Sequence, residues 1–126
     1  MNNNLCLTLP ILLLMGCSLA NHNTIRDFIP GKYVRSFDHE MRKEYDTINI
    51  ELLSNASNSY SLLKSTSFQK ILDGRPQPWQ HKKERWVAIY DEELQVLNET
   101  TRGKVITFIP EKNMLMVGAT AYRKIN

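Results

Sequence analysis

The chain has 126 residues, room for one domain, and its 42% hydrophobic and 23% charged composition is that of a globular protein rather than a disordered one. Sixteen basic residues against 13 acidic ones leave a net charge of only +3. That excludes the broad basic field by which nucleic-acid binders are recognised, so no nucleic-acid partner is expected.

Leu5 to Met15 is an apolar run, LCLTLPILLLM. It has the length of a signal-peptide hydrophobic region and falls short of the roughly twenty residues a membrane-spanning helix needs. Pro10 within it argues against an uninterrupted core helix. The run ends in Leu14-Met15-Gly16-Cys17, which resembles the bacterial lipobox, with small Gly16 giving a signal peptidase access to the bond before Cys17. Both cysteines, Cys6 and Cys17, lie in this region, so the rest of the chain has neither a disulfide nor a thiolate metal site. The expectation is a lipoprotein signal peptide over 1–16, lipidation at Cys17, a polar tether over 17–27, and a single antiparallel β-domain over 28–126. Several acyl chains at one terminus hold firmly, because each buried methylene contributes about 0.8 kcal/mol and one chain alone is marginal. Ser18 after the lipidated position, and the lack of acidic residues up to Thr24, favour the periplasmic face of the outer membrane.

Asn23 to Phe28 predicts one short helical turn, stopped by Pro30-Gly31. Gly31 to Phe37 reads as a strand with Tyr33, Arg35 and Phe37 on one face. Tyr45 to Leu53 alternates Ile48, Ile50 and Leu52 against Thr47, Asn49 and Glu51 as a half-buried strand does. SNASN at 54–58 is a turn, and Ser59 to Ser65 the returning strand; Ser67 to Leu72 either continues it or begins the next. Asp73 to Lys83, with one glycine and two prolines, predicts a loop. Further strands follow at Arg85 to Tyr90, Leu94 to Thr100, Lys104 to Ile109, Met114 to Val117 and Thr120 to Ile125, each bounded by a short turn. About eight short strands without a helical period predict an all-β fold: a small antiparallel up-and-down barrel or curved meander, lipocalin-like, after a cleaved signal peptide.

Chemistry is sparse in this pattern. His22, His39 and His81 have no metal-ligand spacing, no Gly-x-Ser-x-Gly elbow occurs, and Asp91 to Glu93 sit in a tight turn. No catalytic residue, metal or cofactor is expected, and the chain is read as a non-enzyme. The sequons at Asn55 and Asn98 match the glycosylation pattern, but a bacterial lipoprotein does not normally meet that machinery. The loop holding Arg75, Trp79, Lys82 and Lys83 places an aromatic among cations, the composition of binding hot spots, and is the expected partner-binding segment. Trp86, alternating with Ala88 and Tyr90, reads as core.

Phe28 to Val34 (FIPGKYV) after the lipobox, Trp86 to Asp91 (WVAIYD), Arg102 to Phe108 (RGKVITF) and the terminal Tyr122 to Ile125 (YRKI) together resemble a family of small Bacteroidota lipoproteins of unknown function, often encoded in conjugative-transposon regions. Pro30 to Tyr33 also looks like the Gly-x-Trp start of lipocalin-like barrels, with Tyr in place of Trp. The resemblance implies a mobile-element setting and no reaction. The expected role is a lipid-anchored periplasmic domain that binds another protein as an accessory to an envelope or conjugation assembly. The alternatives are a lipocalin-like carrier of a small apolar ligand and an inhibitor of a cell-wall hydrolase.

Overall fold

The computed structural model describes residues 22–126; the signal region and Cys17 lie outside them. A short helix, α1 (His22–Phe28), leads through Pro30 into nine strands. These are β1 (Gly31–His39), β2 (Arg42–Ser54), β3 (Ser59–Leu72), β4 (Arg75–Pro76), β5 (Gln80–Asp91), β6 (Val96–Glu99), β7 (Val105–Ile109), β8 (Met114–Val117) and β9 (Thr120–Lys124). A single 3-10 turn at Pro110–Lys112 joins β7 to β8.

All strands except β4 close into an antiparallel barrel in the order β2, β1, β9, β8, β7, β6, β5, β3, with β3 returning to β2. Closure gives each of the eight a neighbour on both sides, although β1 beyond Val34 and β5 before Ala88 are paired on one side only. The expected small antiparallel up-and-down barrel is the fold, its strands in chain order and closed by β1 on β9. β1 pairs with β9 through only Tyr33↔Lys124 and Val34↔Arg123. Flanking hydrogen bonds, Lys32 N–H to Asn126 O and Ile125 N–H to Lys32 O, extend this seam.

Alternation along the strands sends one set of side chains inward. Tyr33, Ile48, Ile50, Tyr60, Leu62, Trp86, Ala88, Tyr90, Leu97, Ile106, Phe108, Leu115 and Tyr122, with Ile29, form one continuous core. Trp86, Ala88 and Tyr90 are buried, as their spacing predicts. One end of the barrel is closed by α1, whose Ile25 and Phe28 pack on the core. There the Tyr33 hydroxyl lies 2.9 Å from both the Phe28 and Ile29 carbonyls. Arg26 reaches Asn58 at 2.8 Å, Asn55 at 3.2 Å and Glu92 at 3.4 Å, fastening the helix to the β2–β3 and β5–β6 turns. The helix therefore takes up the last part of the segment expected as tether, so the packed domain starts before residue 28: the apolar spacing of Ile25 and Phe28 gives them a core to bury against.

Several strands run past their expected bounds: β1 reaches His39 and β2 spans Arg42 to Ser54. Ser59–Leu72 is one continuous strand, and β5 begins at Gln80, so Gln80 to Lys83 is strand rather than loop. Ladder hydrogen bonds to long partners carry these polar segments beyond the point where apolar alternation stops. Only Asp73 to Trp79 stays outside the barrel. Within it Asp73 and Gly74, with φ of 51° and 73°, form a two-residue hairpin turn between β3 and β4. Both angles fit the left-handed turn that Asp-Gly favours.

Candidate functional site

The barrel has unequal walls. β2, β3 and β5 have 13, 14 and 12 residues, while β6 to β9 have four or five. At the end opposite α1 the long strands therefore run past the short ones, and their inward face has no wall across from it. Directly paired residues point to the same side of a sheet. One row of this face is Arg35, Asp46, Thr66 and Lys82; the next row outward is Phe37, Glu44, Phe68 and Gln80. Along β2 the inward positions change from Ile50 and Ile48 to Asp46, Glu44 and Arg42. The same change occurs on β3, from Tyr60 and Leu62 to Lys64 and Thr66, and on β5, from Tyr90, Ala88 and Trp86 to Glu84 and Lys82. Where the barrel stops being closed the inward positions become mostly charged or polar, with Phe37 and Phe68 left among them under the Arg35 and Arg42 guanidinium groups.

Ion pairs order this face. Arg35 Nη1 lies 3.2 Å from both Glu44 Oε2 and Asp46 Oδ2, and Arg42 binds Glu44 Oε1 through Nη2 at 2.7 Å and Nε at 3.1 Å. The guanidinium of Arg42 also stacks on Phe68 at 4.2 Å, and that of Arg35 lies 5.5 Å from the centre of Phe37. Asp46 is fully buried and its Oδ1 has no hydrogen-bond partner. Burial, followed by the nearby Glu44 carboxylate, raises its affinity for a proton above that of an ordinary aspartate. Burial pushes Glu44 the same way, but hydrogen bonds from Arg42 and Asp46 and the charges of Arg42 and Arg35 outweigh it, so Glu44 stays ionised below the usual carboxylate range. Glu84 is also held low, first by its hydrogen bond to Lys82, whose Nζ is 2.9 Å away.

Deeper in the mouth stands Trp86. Lys104 places its ammonium 4.4 Å, and Lys64 5.7 Å, from the centre of this indole. The two lysines, Trp86, Val105, Val117, Gly118, Thr120 and Tyr122 line a cleft of about 380 Å³. Burial raises the Tyr122 phenol to about 12, so it keeps its proton. A neighbouring cleft of about 270 Å³ lies between Trp86, Glu84 and the β6–β7 turn. Glu99 closes that turn: its carboxylate accepts the amides of Thr101 at 2.8 Å and Arg102 at 2.7 Å.

The expected partner-binding residues are only partly brought together. Arg75 and exposed Trp79 lie on the projecting hairpin and its return. Lys82 points to the inward face, paired with Glu84, whereas Lys83, its neighbour along an extended strand, points to the outer one. Around the hairpin, Phe37, Met41, Tyr45 and Leu72 also remain exposed. The inward charges Arg35, Arg42, Glu44, Asp46, Lys64 and Lys104 are absent from the expected set. Their signal was the unbroken two-residue period continuing in charged residues after the apolar ones ended.

His39 stacks on Phe37 and its Nδ1 accepts the Met41 amide at 3.3 Å; His81 Nδ1 bonds the Ser67 hydroxyl at 2.9 Å. Asp91 accepts the amides of Glu93 and Leu94 and so serves the turn. Among the described residues no group of three His, Cys, Asp or Glu side chains could hold a metal ion, and no helix is long and apolar enough to cross a membrane. Comparison of the chain with protein-family models, with curated proteins and with solved structures finds no match.

Proposed function

We propose that the protein is a non-enzymatic domain, lipid-anchored at Cys17 on the periplasmic face of the outer membrane, that binds another envelope protein through the open end of its barrel. An envelope or conjugation assembly is the setting that the family resemblance favours. The observation that carries the reading is the asymmetry of the two ends. α1 covers one end, while at the other Phe37, Met41, Leu72 and Trp79 stay exposed beside Arg75 on a projecting hairpin. Exposed apolar side chains ringed by charge are the composition of partner-binding surfaces.

The carrier alternative needs an apolar chamber. The described interior is filled with packed side chains, and the clefts at the mouth are lined by charged residues, which favours surface binding over apolar transport. The test is crosslinking and capture from the native envelope with the wild-type chain and with Trp79→Ala. A partner held by the wild type and at least about tenfold depleted with the variant supports the reading, since central aromatic anchors contribute 2 kcal/mol or more. Equal capture by both chains would overturn it.

A further inference from the structure

The mouth of the barrel brings two ammonium groups to one indole, and no acid lines the cleft they share. Lys64 comes from β3 and Lys104 from the end of the β6–β7 turn, far apart in sequence, yet both lie against Trp86. None of the residues lining their cleft is acidic. Among the described residues neither lysine lies within ion-pair distance of an acid, although Glu84, directly across from Lys64 on the neighbouring strand, feels both ammonium charges from outside the cleft. Glu84 is bound by Lys82, Glu99 by the Thr101 and Arg102 amides, and Glu44 and Asp46 by Arg35. Two like charges beside one ring repel each other, and an anion placed between them reverses the sign of that interaction.

The rest of the cleft is suited to the body that carries such an anion. Trp86, Val105 and Val117 supply apolar walls, and Thr120 and Tyr122 add hydroxyl groups. Its volume of about 380 Å³ lies within the roughly 300 to 1,000 Å³ of small-molecule sites. We infer that the cleft formed by Lys64, Trp86, Lys104 and Tyr122 binds a carboxylate joined to a compact apolar group, the carboxylate between the two ammonium groups and the apolar part against the indole. The assignment stands apart from the protein-binding reading, whose exposed anchor is Trp79. A free organic acid and the terminal carboxylate of a peptide both offer this chemistry.

The experiment uses the full chain in a non-ionic detergent and follows the indole N–H resonance of Trp86, assigned by comparison with Trp79→Phe. The probes are phenylacetate, phenylacetamide, inorganic phosphate, and acetyl-Leu-Phe as free acid and as amide. A saturable shift with phenylacetate identifies a free-acid site, and one with the peptide acid alone identifies a peptide-carboxylate site. In either case the matching amide should bind at least about tenfold more weakly because a charge-assisted hydrogen bond is lost, and phosphate likewise because it has no apolar body to bury against the indole. Lys104→Gln and Lys64→Gln, each checked for an unchanged melting curve, should lower affinity by a similar factor. Should either variant fail to fold, Lys104→Arg, which retains the charge, must bind within a few-fold of the wild type. No shift with either acid, equal binding of the amides, or equal binding of phosphate would overturn the inference. Retained acid binding by Trp79→Ala, whatever that variant captures from the envelope, separates this site from the partner surface.

Discussion

Tyr33 is where the chain ties its entry helix to its barrel. It is fully buried, its ring meets Phe28 and Phe108 edge-on, and its hydroxyl lies within 2.9 Å of two carbonyls at the end of α1. Burial raises its affinity for the proton far above that of a free phenol, so the hydroxyl keeps its proton and remains a donor at neutral pH. Replacing it with phenylalanine preserves the packing and removes only that donor. Tyr33→Phe is expected to cost about 1 kcal/mol in chemical denaturation, with faster amide exchange confined to α1. Gly31 imposes a second constraint at this position. Its φ is +144°, and an added Cβ would stand 2.1 Å from the Asn126 carbonyl, so any side chain there would displace the seam between β1 and the end of the chain. From the sequence, Tyr33 and Gly31 are legible as a strand start. Their partners, distant along the chain, are not.

At the scale of elements, turns carry the most local information. The β6–β7 turn is held by Glu99, whose burial favours its proton but whose hydrogen bonds from the Arg102, Thr101 and Lys104 backbone amides and from the Thr101 side chain favour the ionised form more, leaving it below the usual glutamate range. The sign of the linkage follows directly. A depressed carboxylate adds stability that is complete above the ordinary glutamate value and is lost as pH falls through the depressed one. Melting temperature is therefore expected to fall on acidification across that window, and Glu99→Gln should flatten this part of the profile while lowering the melting temperature at neutral pH. A variant whose profile still parallels the wild type would refute the role. The Asp91 turn was equally readable, whereas the Asp73-Gly74 hairpin was read only as part of a loop over Asp73 to Lys83. Strand ends were less readable. Gln80 to Lys83 has the composition of a loop, and only its pairing with Ser65 to Phe68 makes it part of β5.

For the whole molecule, the two ends of the barrel differ. α1 and the turns it touches close one end, and the uneven strand lengths open the other into a charged mouth. The N-terminal segment precedes α1, so a lipid at Cys17 would leave only a few residues between the membrane surface and the closed end. For the anchor itself, Cys17→Ala is expected to abolish labelling by a fatty-acid probe and to leave the chain uncleaved or released from the membrane fraction. Labelling and membrane association equal to the wild type would refute lipidation at that position.

Sequence by itself determined the fold class, most strand positions and the core face, because a two-residue period of apolar side chains and the backbone needs of turn residues are local properties. It also contained the inward run of Arg42, Glu44, Asp46, Lys64, Thr66, Lys82 and Glu84, but nothing local distinguishes a charged face lining a barrel mouth from an ordinary solvated strand face. Only the tertiary structure decided that distinction. Closure of eight strands of unequal length set where the barrel ends, separated Lys82 from Lys83 across the sheet, and brought Lys64 and Lys104 to the same indole.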